Sequence, residues 1–146
     1  MDDWELRARI EITDMLSSYT RFGDGGRSAD LARLFGSDGV LSVAGGQELH
    51  GSGEIEAFLE DAKRALAARA HPGGRFRHHV SSQWVELIGP TEAKARSYFL
   101  VMGPTGPDHW GTYTDRIVTS ADGWLFAERA VRVEGRAPGS PADVPE

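Results

Sequence analysis

Asp24 and the adjacent histidines His78 and His79 are the side chains of this sequence that are best suited to chemistry. Asp24 follows a predicted amphipathic helix, and the histidines begin a predicted strand over residues 78–88. A carboxylate at a helix end and an imidazole at a strand start can meet in a cavity between helices and sheet. The carboxylate would then fix the tautomer of the imidazole, which can move protons near neutral pH. The pattern predicts acid–base chemistry but names no substrate.

Each of these residues also has a simpler interpretation. Successive strand residues point to opposite faces, so His78 and His79 cannot both face one cavity. From spacing alone, either is more often a structural or surface histidine than a catalytic one. Asp24 is flanked by glycines and is most simply a turn residue.

Three further polar residues could line a pocket. Tyr113 and Asp115 are two apart on a predicted strand and therefore share a face. If that face is inward they could hold a substrate oxygen; otherwise Asp115 and Arg116 form a solvated charged stretch. Tyr19 lies on the apolar side of the first helix, where it is a core residue whose hydroxyl could reach the pocket.

Several chemistries are disfavoured by what the sequence contains. It has no cysteine, which excludes disulfides and thiolate nucleophiles. We expect no metal site, because adjacent strand histidines cannot chelate one ion together and His50, His71 and His109 show no ligand spacing. There is no phosphate-binding loop, dinucleotide fingerprint or nucleophile elbow, so we expect no cofactor.

Length and charge set further bounds. The chain of 146 residues is long enough for one domain with a core and a pocket. A net charge of -6 and the lack of a Lys/Arg run argue against a nucleic-acid partner. The acidic start has no apolar signal core, and no stretch is apolar enough for a membrane span. We therefore expect a soluble, cytoplasmic protein without membrane or nucleic-acid partners.

The apolar pattern predicts helices in the first half of the chain and long strands in the second. Apolar spacing of three and four indicates helices over residues 4–22, 28–35 and 52–66, with a small hairpin around Gly45 and Gly46. The period then changes to that of strands, over residues 78–88, 93–102, 110–120 and 124–133. This order predicts an α+β domain over residues 1–134, with helices packed on a curved, mainly antiparallel sheet. Residues 135–146 contain three prolines and are predicted to be a disordered tail.

This order of elements resembles the SnoaL-like families of the nuclear-transport-factor-2-like superfamily, over roughly residues 4 to 133. The sequence stretches that carry the resemblance are Tyr19-Thr-Arg-Phe-Gly-Asp24, Leu31-Ala-Arg-Leu-Phe-Gly-Ser-Asp-Gly-Val40, Arg77-His-His-Val-Ser-Ser82 with Ala93-Lys-Ala-Arg-Ser-Tyr-Phe-Leu100, and Gly111-Thr-Tyr-Thr-Asp-Arg-Ile117 with Asp122-Gly-Trp124 and Glu128-Arg129. The resemblance implies a cone-shaped α+β barrel that encloses a pocket. It is less specific for activity, because the superfamily includes dehydratases, isomerases, cyclases, epoxide hydrolases and non-enzymes.

Within the superfamily, the pattern is most similar to the scytalone dehydratase-like proteins. That resemblance implies that His79 is the catalytic histidine and that Asp24 hydrogen-bonds it. Two positions depart from the family pattern: Gly23 stands where the dehydratase has a tyrosine, and Ser97 where it has a second histidine. We therefore expect a dyad without the complete set of partners.

The combined interpretation is a cofactor-free enzyme in which His79 and Asp24 transfer protons on a small hydrophobic, cyclic or polyketide-like substrate. A dehydratase comes first, and an isomerase or cyclase second; the substrate itself stays open. The expected substrate-binding residues are Tyr19, Ser97, Phe99, Tyr113 and Asp115. The alternative is a non-catalytic ligand-binding or accessory domain of the same fold.

One strand also suggests an oligomer. Val80, Trp84 and Ile88 fall on one alternation of the first long strand. Three helices can cover only one face of the sheet, so if these residues lie on the outer face they need another cover. A homodimer with two-fold symmetry is the simplest solution.

Overall fold

A computed structural model describes residues 1–68 and 75–140. Helix α1 spans Asp3–Asp24, α2 spans Ser28–Arg33 and α3 spans Gly51–Ala68. Strands β1 (Val40–Ser42) and β2 (Glu48–His50) lie between α2 and α3. The long strands are β3 (Arg77–Gly89), β4 (Glu92–Gly103), β5 (Gly106–Ser120) and β6 (Gly123–Arg136). The order of elements is the one that the apolar pattern predicts.

The six strands form one mixed sheet in the order β2-β1-β6-β5-β4-β3. All neighbours are antiparallel except β1 and β6, which are parallel. The α+β class is therefore confirmed. The sheet is curved but open among the described residues, since β2 and β3 are its two edges, and the barrel is not closed.

Helix α1 packs on the sheet through a stripe of buried residues, Ala8, Ile12, Met15 and Leu16. This spacing of three and four places them on one side of the helix. Asp2 is the N-cap of the helix, and its N–H donates to the Glu5 carboxylate at 2.6 Å, as in a capping box. Its other end brings Asp24 to the start of β3. The helix thus fixes the position of that carboxylate relative to the sheet.

A β-bulge in β3 decides which side chains of that strand face inward. Ser81 pairs with Tyr98 and Trp84 with Arg96, so β3 has one extra residue there, and Ser82 has a φ of 50°. Val80 packs inward before the bulge, whereas Trp84 is 54% exposed after it. The expectation that Val80 and Trp84 share a face is therefore wrong, because the extra residue reverses the alternation.

The predicted tail begins later than expected. β6 runs to Arg136, and Ser140 is buried, so residues 135–140 belong to the folded domain. Their backbone continues the pairing with β5, in which Gly135 lies opposite Trp110 and Arg136 opposite His109. The expectation for residues 141–146 lies outside the described residues. No helix in the described part of the chain is long and apolar enough to span a membrane.

Candidate functional site

The carboxylate of Asp24 binds His78. One of its oxygens lies 2.7 Å from Nδ1 of the ring, and the backbone N–H of His78 donates to the carboxylate at 3.1 Å. The Asp24 side chain is 13% exposed and that of His78 is 30% exposed. Because the carboxylate is the acceptor, the neutral ring carries its proton on Nδ1, which leaves Nε2 as an acceptor.

His79 is not the partner of Asp24, and this expectation from the family pattern is wrong. His79 is exposed, whereas His78 lies on the inner face of β3 with Phe76 and Val80. Beyond the bulge the inner face passes to Val85 and Leu87, both at odd-numbered positions. An unbroken alternation from those residues would turn His79 inward. The extra residue at the bulge turns His78 inward instead.

His109 and Asp108 form a second carboxylate–imidazole pair. Nδ1 of His109 lies 2.7 Å from the Asp108 carboxylate, and both side chains are largely buried. The β4–β5 pairing shifts between Val101 and Met102, so Asp108 is an extra residue in β5. The bulge removes the alternation that would separate the two neighbours, and their side chains can meet.

The two histidine pairs face one another near the β4–β5 hairpin. His78 pairs with Val101 of β4, and Val101 pairs with His109 of β5, so the histidines are two strands apart in one row. Their ring centroids are 6.5 Å apart and the planes are perpendicular. Phe99 contacts both, with centroid distances of 6.4 Å to His78 and 5.9 Å to His109. Phe99, an expected pocket residue, therefore packs beside both histidine rings.

A buried ion pair lies deeper in the interior. Nε and Nη2 of Arg129 each donate to one oxygen of Asp115 at 2.8 Å, and both residues are almost fully buried. The guanidinium stacks at 4.1 to 4.5 Å from the rings of Tyr19, Tyr113 and Phe126. Nη1 has no hydrogen-bond partner among the described residues.

The expected polar residues face inward, but with different surroundings. Tyr113 stacks on Phe99 with centroids 4.7 Å apart and contacts Tyr19 edge-on at 5.8 Å. Ser97 is buried and pairs with Tyr113 across the sheet. Asp115 faces inward as its spacing from Tyr113 predicts, but Arg129 occupies both of its oxygens. A direct bond from Asp115 to a substrate oxygen would compete with that ion pair.

Burial affects the protonation of the interior tyrosines. It raises the pKa of the Tyr113 hydroxyl far above its ordinary value of 10.0, and the neighbouring Tyr19 adds to the shift. Burial also raises the pKa of Tyr19, against the opposing effect of Arg129. Asp115 raises the pKa of Arg129 by hydrogen bonding and charge, against the desolvation that acts on this buried cation. The two tyrosines are therefore proton donors, and Arg129 is a cation at neutral pH.

An apolar groove lies on the helical side of Asp24. It has a volume of about 260 Å³ and combines apolar side chains with Asp24 and Lys63. The apolar residues that line it are Phe22, Leu31, Leu59, Ala62 and Leu66. A larger hollow of about 570 Å³ lies on the outer face of the sheet, beside Trp84 and Tyr98. That hollow is open and is not lined by either histidine pair.

The described residues contain no group of three or more histidine and acidic side chains that could hold a metal ion. The expectation for His71 lies outside the described residues. The sequence does not indicate His109 as an acid–base candidate, because Gly103-Pro-Thr-Gly-Pro107 indicates a loop before it. The signal that points to this pair is the Asp108-His109 dipeptide after Pro107. A proline within a sheet favours a bulge, and a bulge lets two adjacent side chains lie on the same face.

Several solved structures share this fold of helices on one face of a curved sheet. A proposed scytalone dehydratase of Novosphingobium aromaticivorans has a TM-score of 0.79 and 25% identity, covering 94% of this chain and 91% of its own. An NTF2-like protein with a cystatin-like fold from the same organism has a TM-score of 0.75 and 24% identity, covering 94% and 86%. ActVI-ORFA of Streptomyces coelicolor has a TM-score of 0.73 and 25% identity, covering 89% and 97%.

The sequence also matches a family model, that of the SnoaL-like domain, over residues 4–130. No match was found among curated proteins. Because the family model covers most of the chain, the protein belongs to the SnoaL-like domain family. The family resemblance stated from the sequence is confirmed.

Proposed function

We propose that this protein is a cofactor-free enzyme that transfers protons by histidine general acid–base catalysis, first as a dehydratase and second as an isomerase or cyclase. The observation that carries the proposal is the pair of His78 and Asp24, in which Nδ1 is held by the carboxylate and Nε2 is left for a substrate. Membership of the SnoaL-like family and the similarity to a proposed scytalone dehydratase support the same chemistry.

Two histidine pairs suit an elimination of water. Neutral His78 accepts the proton from a carbon next to a carbonyl, through Nε2. Protonated His109 donates a proton to the hydroxyl on the next carbon, which leaves as water while the carbon–carbon double bond forms. His78 is then protonated and His109 neutral, and exchange with solvent restores both. Acid–base catalysis of this kind contributes about 10²–10⁴-fold to a rate.

The carbonyl oxygen gains negative charge during this step and needs hydrogen-bond donors. Tyr19 and Tyr113 are the expected donors, because the raised pKa values keep both hydroxyls protonated. Ser97 is the third candidate, since it is buried in the same row of β4 residues as Phe99. Asp115 contributes by holding Arg129 between the tyrosine rings.

The surroundings of Asp24 favour a small hydrophobic or cyclic, polyketide-like substrate. The groove beside Asp24 is largely apolar, and Phe99 offers an aromatic surface beside both histidines. An apolar ring can pack on such surfaces while its few oxygens reach the polar groups. In solution, we propose, the protein acts as a homodimer.

A screen with small cyclic β-hydroxy ketones in deuterium oxide tests the proposal. We expect loss of water to a conjugated ketone, or at least exchange of the acidic C–H for deuterium, detected by mass spectrometry. His78→Ala should remove both signals. Binding without turnover or exchange across the panel would reject the enzyme and favour the ligand-binding or accessory domain.

A further inference from the structure

The chain that follows β6 folds back on the beginning of β5. The N–H of Ala137 donates to the backbone oxygen of Asp108 at 2.7 Å. The N–H of Ser140 donates to the Ala137 oxygen at 3.1 Å, which closes a turn. Ser140 is only 6% exposed, and Asp108 only 8%. The segment 137–140 is thus fixed against the residue that pairs with His109.

The hydroxyl of Ser140 reaches the same carboxylate oxygen as His109. Oγ of Ser140 donates to Oδ2 of Asp108 at 2.6 Å, and Nδ1 of His109 lies 2.7 Å from that oxygen. A carboxylate oxygen has two lone pairs and can accept both bonds. Because the hydroxyl proton is directed into the carboxylate, Ser140 orients this group.

This contact matters because Asp108 lies at a bulge. The extra residue of a bulge is left outside the regular ladder, so strand pairing alone does not fix its side chain. The backbone bond from Ala137 holds the main chain of Asp108, and the Ser140 bond holds its carboxylate. With both in place, the Asp108 carboxylate faces Nδ1 of His109, and Nε2 of that ring makes no hydrogen bond to the residues described.

We propose that Ser140 is a positioning residue for His109, so that the segment 137–140 completes the candidate site through Asp108. The inference rests on the proposed function only where it concerns rate, since it uses His109 as the second acid–base group. The positioning role itself predicts the tautomer of His109, and this tautomer can be measured without a substrate.

The experiment uses full-length protein with ¹⁵N-labelled histidine, and reads the His109 tautomer from its two ring nitrogens by NMR. In the wild type, neutral His109 should carry its proton on Nδ1. Ser140→Ala should give a mixture of the Nδ1–H and Nε2–H forms. Ser140→Thr should keep the single Nδ1–H form, because threonine keeps the hydroxyl. Ser120→Ala is the matched control, since the hydrogen bonds of that exposed serine to the described residues lie within a hairpin turn.

The rate measurement separates this inference from the proposed function. With a responsive substrate, Ser140→Ala should lower kcat by up to about 10²-fold with a smaller change in KM, as a misplaced catalytic group does. An unchanged His109 tautomer in Ser140→Ala overturns the positioning role. A changed tautomer with an unchanged kcat leaves the positioning role standing and removes His109 from the proposed mechanism.

Discussion

Asp24 holds His78 by two groups at once, the backbone N–H and Nδ1 of the ring. The backbone bond locates the carboxylate at the start of β3, and the ring bond sets the tautomer. A carboxylate that binds both groups fixes the imidazole in position and orientation. The end of α1 and the start of β3 therefore act as one unit in the candidate site.

Asp24→Asn should lower turnover by about 10²-fold, comparable to the loss of His78 or milder. The amide can still accept the backbone bond, but its NH₂ group favours the wrong tautomer of His78. Steady-state kinetics would show this as a fall in kcat. Asp122→Asn, in an exposed turn, is the control. Full activity of Asp24→Asn would mean that the carboxylate does not orient the ring.

Breaking the ion pair of Arg129 and Asp115 should destabilise the protein strongly. Arg129→Met leaves a buried carboxylate without a counter-ion, which costs about 3–5 kcal/mol in unfolding free energy. The double variant Asp115→Leu/Arg129→Met should recover much of that loss, because no charge is left unpaired. Urea unfolding monitored by tryptophan fluorescence measures both.

Arg116→Met is the matched control for the ion pair. Arg116 lies on the outer face of β5, and its contacts with Glu92 and Glu128 are 3.9 and 3.6 Å and exposed. An exposed pair contributes about 0–1 kcal/mol. Similar losses for Arg129→Met and Arg116→Met would contradict the account of a buried cation.

The raised pKa of Tyr113 makes stability depend on alkaline pH. The unfolded hydroxyl loses its proton near its ordinary value of 10.0, whereas the folded one keeps it. The stabilisation is therefore complete below about pH 10 and decreases as the pH rises above it. Between pH 9 and 11, the free energy of unfolding should fall by about 1 kcal/mol less in Tyr113→Phe than in the wild type. Tyr98→Phe, at an exposed tyrosine, should leave this pH dependence unchanged. Equal pH dependence of stability in the two variants would contradict the effect of burial on Tyr113.

The exposed face of the sheet predicts a homodimer. Trp84, Ile88 and Tyr98 are each more than half exposed, and Trp84 and Tyr98 line the outer hollow. Covering this face with a second copy would bury them. Light scattering should give twice the chain mass, and Trp84→Lys should give a monomer. Trp4→Lys, on the exposed side of α1, should stay dimeric; a monomeric wild type at micromolar concentration would reject the dimer.

The fold could be predicted from the sequence because its apolar periods are long and consistent. The stripe of α1 and the four strand-length runs led to the observed order of helices and strands. Strand ends are predicted less accurately: β5 begins at Gly106 rather than Trp110, because Gly106 and Pro107 still pair with β4 beyond the bulge at Asp108. The parallel contact of β1 with β6 joins segments far apart in the chain, and local patterns do not record it.

The candidate site could be predicted only in part. The sequence singles out Asp24 and the two adjacent histidines, but the family pattern selects His79, whereas the bulge at Ser82 turns His78 toward Asp24. A bulge shifts the alternation by one residue and leaves little trace in composition. His109 does not stand out in the sequence, because the Gly103–Pro107 stretch before it indicates a loop and because its partner Asp108 is the extra residue of another bulge.

The most direct test of the central claim compares His78→Ala with His79→Ala on one responsive substrate. The neighbouring histidines differ mainly in the face of β3 from which they project. If His78 is the proton carrier, His78→Ala should lower kcat by about 10²-fold or more, and His79→Ala should leave it unchanged. Circular dichroism should show that both variants keep the fold. Full activity in His78→Ala, or an equal loss in His79→Ala, would contradict the account.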